Sequence, residues 1–248
     1  MNARRILGIS SVLCGLGAPA WLAAAAMPEL PPPATILSQV VARLPRQPIL
    51  VAGTLEKAGA ASDDARTFNV EMYFCYGRDP AVARYTVRDA FGTDLEQLQI
   101  ERTPQRTPRF RYEKGSPLAA APTPDLSAAV QGTDVRWADL ALSFLWWPGG
   151  QTAGREVYKG QSCYVLDLPE PAGEGKFVGS MRLWIDEKFL MVLQAEARDG
   201  AGHVVRRMFV KSFKKINDRW IIKDLDVQSF PSRDRTTLRV RDVQDVAP

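Results

Sequence analysis

Two periodicities succeed one another along this chain. Over residues 34–45, ATILSQVVARLP, the apolar residues Ile36, Leu37, Val40, Val41 and Leu44 fall on one face at helical spacing. Thr35 is placed to cap that helix and Pro45 to stop it. From Pro48 the period shortens to two. PILVAGTLEK, RTFNVEMYFCYG, ARYTVRDAFG, LEQLQIER and RFRYEKG read as successive strands, with a Gly-Thr-Asp turn between the third and fourth. In the second of these, Phe68, Val70, Met72, Phe74 and Tyr76 alternate with Asn69, Glu71, Tyr73 and Cys75. The first set is the side that faces an interior.

A Pro/Ala-rich stretch, SPLAAAPTPDLSAAVQGT, follows as a loop. It is longer than most connections, so it is either a surface excursion or a cover segment over a binding site. A second helix is predicted over DVRWADLALSFLWWP, with Thr133 or Asp134 as its cap. Trp137, Leu140, Ala141, Phe144 and Leu145 form its apolar stripe. Trp146-Trp147-Pro148-Gly149-Gly150 ends it. Then come QSCYVLDLP, SMRLWIDEK, FLMVLQAEARDG, HVVRRMFVKSFKKIND, RWIIKDLDVQSF and RTTLRVRDV. Turns at 186–188, 199–202, 217–218 and 231–234 separate them, the spacing of a meander of antiparallel hairpins. Met181, Leu183 and Ile185 form an inward set opposite Arg182, Trp184 and Asp186. In 204–216 neither face is clean: Arg206 shares one with Val204, Met208 and Val210, and Arg207 and Lys211 share the other with Phe209 and Phe213.

One helix, a run of strands, an aromatic helix and a longer run of antiparallel strands is an order that resembles the LolA-like outer-membrane lipoprotein-sorting family of the bacterial envelope. The resemblance covers most of the chain after residue 34 and is strongest from Asp134 to Asp242. It implies an α+β fold, a strongly curved antiparallel sheet forming an open half-barrel with two or three covering helices. It also implies an apolar cavity for acyl chains, and a carrier or binding module in place of an enzyme. The resemblance is to the broad group. The tryptophan-rich strand pair of the well-studied carrier has no clear match. The nearest stretch is YGRDPAVARYTVRD, where Arg78, Pro80 and Arg84 give a short R-x-P turn into a strand.

The N-terminus reads as a secretory signal over residues 1–26. Arg4 and Arg5 precede the mostly apolar run Ile6–Trp21, and Ala24-Ala25-Ala26 supplies an A-x-A cleavage site. Cys14 follows Leu13, and lipidation there is set aside. Residues 27–33 form a proline-rich lead-in, and 34–248 a single half-barrel domain. Cleavage would remove two arginines and no acidic residue, taking the formal charge from +4 to +2, too small an excess to argue for nucleic acid. Cys75 and Cys163 would remain, either as a bridge that an oxidising compartment permits or as two buried free thiols.

Candidate chemistry is sparse. His203 is the only histidine, sits in the turn RDGAGHVV, and has no G-x-S-x-G elbow to serve. Asp224 and Asp226 share a strand face, which is ordinary for a solvated sheet. The basic set Arg206, Arg207, Lys211, Lys214 and Lys215 is either a docking patch for an anionic partner or a solvated strand face. Aromatic and methionine residues at these spacings serve equally as plain core or as pocket lining, and methionine adapts to variable chains.

The expected function is a periplasmic carrier or chaperone for acyl chains of lipoproteins or lipids, without catalytic residues, metal or cofactor. Phe68, Val70, Met72, Phe74, Leu140, Phe144, Leu145, Met181, Leu183 and Ile185 are the expected cavity lining. The partners expected are the acyl chains themselves, an inner-membrane donor and an outer-membrane acceptor, with a monomeric protein and no nucleic acid. The alternative is an envelope interaction module with the same fold and a filled core.

Overall fold

A computed structural model describes residues 29–58, 65–171, 179–216 and 219–247. The signal segment with its cleavage site, Cys14, the first two lead-in residues and the Asn217-Asp218 turn lie outside the described residues.

The described strands form one antiparallel sheet. In chain order they are β1 (Ile49–Ala58), β2 (Arg66–Cys75), β3 (Ala81–Arg88), β4 (Asp94–Arg102), β5 (Arg109–Lys114), β6 (Ala119–Ala121), β7 (Gln151–Tyr158), β8 (Gln161–Pro169), β9 (Ser180–Asp186), β10 (Val192–Arg198), β11 (Val204–Ile216), β12 (Arg219–Ser229) and β13 (Arg235–Asp245). Their order in the sheet is β6-β5-β4-β3-β2-β1-β13-β12-β11-β10-β9-β8-β7. Each strand pairs with its neighbour in sequence except at the centre, where β1 pairs with β13. The chain therefore starts mid-sheet, meanders to one edge, crosses through residues 122–150 to the other edge, and meanders back. The edges β6 and β7 do not meet, so the sheet is an open half-barrel.

Alternation sets the faces. Phe68, Val70, Met72 and Phe74 lie across from Leu55, Gly53, Val51 and Ile49, and one apolar core spans the concave face from Ile100 on β4 to Leu168 on β8. A register shift between Ala52 and Gly53 bends the central pair. A Cβ at Gly53 would fall 2.5 Å from the Arg239 carbonyl oxygen, so the backbones approach there only because the residue is glycine.

Four local expectations are corrected. The first helix, α1, runs Pro33–Ala42, with Pro32 at the cap position and no side-chain cap. Proline in the first turn fixes φ and has no N–H to satisfy, so the helix starts before Thr35, whose carbonyl instead accepts a hydrogen bond from Ser38 Oγ at 2.8 Å. The second helix is broken. An α-turn, α2 (Trp137–Leu140), and a 3-10 turn, Ser143–Trp146, flank Leu142, which takes a left-handed conformation with φ 46°. Its cap is neither Thr133 nor Asp134: Asp139 Oδ2 accepts the Arg136 N–H at 2.9 Å, while Thr133 Oγ1 donates to the Val130 carbonyl. The break lets Trp137, Phe144 and Trp147 all bury against a curved surface. The Pro/Ala-rich loop contains β6, a three-residue edge strand paired to β5. Finally, QTAGREVY is strand β7, an element the alternation does not announce because most of its residues are exposed on both faces.

Candidate ligand cavity

The concave face is not filled uniformly. On the β8–β9 side, Leu166, Leu168, Met181, Leu183 and Ile185 pack as core. At the centre, a cavity of about 690 Å³ remains between the sheet and its cover, within the range of about 300–1,000 Å³ typical of small-molecule pockets. Its walls are the inward residues of four adjacent strands: Ile49 and Val51 of β1, Met72 and Phe74 of β2, Ile221, Leu225 and Val227 of β12, and Leu238, Val240 and Val243 of β13. Tyr76, Tyr85, Asp139, Leu140, Leu142, Trp146 and residues 42–47, from the last residue of α1 onward, add to it.

One end is sealed. The Arg206 guanidinium meets Asp139 at 2.8 Å, with side chains only 5% and 4% exposed, and the same carboxylate caps α2. Asp134 accepts hydrogen bonds from Ser229 Oγ at 2.8 Å and Thr236 Oγ1 at 2.9 Å, and Lys57 Nζ donates to the Gly132 carbonyl. These bonds fix the cover to β1, β11, β12 and β13. At the other end Ile221, Phe74 and Tyr76 are only partly buried, whereas Val227 is fully buried. The mouth therefore lies at the start of β1 and β12 and the end of β2 and β13.

Aromatic rings frame that mouth. Tyr76 stacks between Phe74 and Trp146, with centroids 6.2 and 6.3 Å away, and Phe74 meets Tyr85 edge-on at 5.7 Å. Burial pushes the Tyr76 phenol up to about 12, against the opposing pull of the Arg102 charge. Burial also raises Tyr85 well above its ordinary value, with Tyr76 adding to it. Both phenols are neutral across any physiological pH, so this wall is uncharged.

Of the ten residues expected to line a cavity, Met72, Phe74 and Leu140 do so. Val70, Phe144, Leu145, Met181, Leu183 and Ile185 are fully packed core, and Phe68 packs against it. The reading missed the β12–β13 wall, although Leu225 and Val227 alternate with Asp224 and Asp226 in plain view.

The remaining chemistry lies elsewhere. His203 is largely exposed in the β10–β11 turn, 3.3 Å from Asp199. Asp226 is held by Thr237 Oγ1 at 2.7 Å with Lys211 and Arg235 at 3.5 Å, and Asp224 by Ser212 Oγ at 2.6 Å. Cys75 and Cys163 are both free and buried. Cys163 sits in a small outer-face cluster with Val165, Trp184 and Leu193, where burial, with the Asp186 charge adding, pushes its thiol up to about 11. The basic strand is largely spent internally: Arg206 pairs with Asp139, Arg207 with Glu196 and Lys211 with Asp226. Among the described residues no helix is long and apolar enough to cross a membrane.

An open antiparallel half-barrel with helical turns over its concave face is the LolA-like fold. Solved structures that share it include three at 13–14% identity. One is a DUF1329 family protein from Desulfovibrio piger, with TM-score 0.70, 14% identity, and 86% of this chain and 91% of that chain covered. A second is a putative outer membrane lipoprotein-sorting protein domain from Vibrio parahaemolyticus, with TM-score 0.71, 13% identity, and 85% and 91% covered. The third is a LolA superfamily protein from Nitrosomonas europaea, with TM-score 0.66, 13% identity, and 88% and 96% covered. The model of a family described as an uncharacterized protein matches residues 120–246, just over half of the chain, and the protein belongs to that family. No curated protein matches the chain.

Proposed function

We propose that this protein is a periplasmic carrier that holds acyl chains of a lipoprotein or lipid in the central cavity, taking them from an inner-membrane donor and releasing them to an outer-membrane acceptor. The observation that carries this reading is the apolar cavity of about 690 Å³, open at one end, in a fold shared with a lipoprotein-sorting protein domain. Acyl chains leaving water for such walls gain about 0.8 kcal/mol per buried methylene. About ten methylenes thus correspond to a gross 8 kcal/mol, the scale of micromolar binding before ordering costs. That strength suits a carrier, which must also release its cargo. The chemistry is non-covalent, and binding needs no movement of the cover at its Asp139–Arg206 end; entry is past Phe74, Tyr76 and Ile221.

The test is titration of the purified chain with a fluorescent fatty acid, comparing wild type with Val51→Phe, which projects a ring into the cavity. The expected result is saturable uptake by wild type and at least a ten-fold loss in the variant, with its melting temperature retained. No uptake by wild type would leave the interaction-module reading in its place.

A further inference from the structure

A second recess, of about 520 Å³, adjoins the mouth of the cavity. It carries more charge than the cavity does. Arg46, Arg78, Arg102 and Arg106 line it, and Asp79 is its one carboxylate. Arg46, Arg78 and Arg106 are exposed and, among the described residues, make no ion pair. Arg102 lies with its guanidinium carbon 3.9 Å from the Trp146 ring centroid, a cation–π contact that holds its charge at the boundary between the two spaces. The scaffold beneath is built, not incidental. Tyr76 N–H donates to the Pro45 carbonyl at 2.8 Å and Gly77 N–H to the Arg46 carbonyl at 3.0 Å. The two backbones lie so close that no side chain fits at Gly77.

The two spaces share walls: Ala42, Leu44, Arg46, Tyr76 and Trp146 belong to both. An apolar chamber thus opens directly onto a basic vestibule. Chains that fill the chamber leave their polar end in the vestibule, beside several guanidinium groups. Guanidinium forks match phosphate oxygens in bidentate geometry, and a concave site of one sign concentrates its counter-ion. An uncharged acylglycerol head would leave this charge unused.

We propose that the cargo is an anionic amphiphile whose phosphate group sits among Arg46, Arg78, Arg102 and Arg106 while its chains occupy the cavity. This rests on the carrier reading above and narrows its substrate class to phospholipid-type molecules.

The experiment is calorimetric titration of the full chain, purified without detergent, with lysophosphatidic acid, with the monoacylglycerol carrying the same chain, and with inorganic phosphate alone. The same three titrations are run on Arg78→Gln/Arg106→Gln, whose unchanged melting temperature reports an intact fold. The expected result is that wild type prefers lysophosphatidic acid by about ten-fold or more, as charge-assisted hydrogen bonds imply, and that the double variant loses most of that preference. Equal binding of the two lipids by wild type, or a preference that survives in the variant, overturns the headgroup assignment and leaves the carrier standing. Inorganic phosphate binding as tightly as lysophosphatidic acid makes the recess a free-anion site and overturns it too. Binding of neither lipid removes the carrier reading and this inference together.

Discussion

Met72 and Val70 are two residues apart on one face of one strand and both are buried in the core, yet only Met72 also borders the cavity. Alternation says which way a side chain points. It does not say whether another side chain meets it, because that depends on strands more than a hundred residues away. Truncation separates the two kinds. Phe144→Ala in the packed region is expected to lower unfolding free energy in urea by about 3–5 kcal/mol, whereas Met72→Ala, facing space already empty, costs clearly less. The ion pair at the sealed end carries another prediction. Asp139→Ala takes the Asp139 carboxylate away from the buried Arg206 charge and removes the α2 cap, so it should cost up to about 3–5 kcal/mol, and adding Arg206→Met should recover part of the loss. Nothing in the sequence singled out Asp139, since a lone acid in an aromatic helix reads as surface. The cysteines illustrate the same point: alternation places both in strands, and only the fold shows them as separate thiols. With the Cys163 thiol pushed up to about 11 by burial, mass spectrometry of the folded protein should find it unalkylated by iodoacetamide at pH 8 and alkylated after unfolding.

Elements were more legible than their ends. Most strands and α1 follow from periodicity, most plainly β4, where buried and half-buried positions alternate one by one. The aromatic segment predicts one helix and forms two short turns. Its stripe is real, but tertiary hydrogen bonds at Asp134 and Asp139 and the left-handed turn at Leu142 outweigh the helical pattern. Strand β7 was invisible for the converse reason, since an exposed edge strand has no pattern to show. The β8–β9 pair offers a pH test at this scale. Hydrogen bonds from Arg182 at 2.6 and 2.7 Å hold the Asp167 carboxyl below its ordinary value, against an opposing effect of burial. A depressed folded value means that the contribution is present above the unfolded value of about 3.8 and is lost as pH falls below it. Wild type should therefore lose stability more steeply than Asp167→Asn as pH falls below 3.8, measured by urea midpoints.

At the scale of the molecule, the fold class was readable from the order of elements, but the closure of the meander was not. Pairing β1 with β13 puts the first and last strands side by side at the centre, and that junction builds two walls of the cavity. The cover is bonded to the sheet at one end, and the sheet stays open along its β6 and β7 edges. These features make a cup around an apolar chamber, and the carrier function turns on whether that chamber takes a lipid. The direct measurement is native mass spectrometry, with lipid extraction, on the full chain expressed in its own cell and purified without detergent. The account predicts adducts at acyl-lipid masses, lost in Val51→Phe while the fold is retained. A clean apo mass that no added fatty acid or lysophospholipid shifts would contradict it.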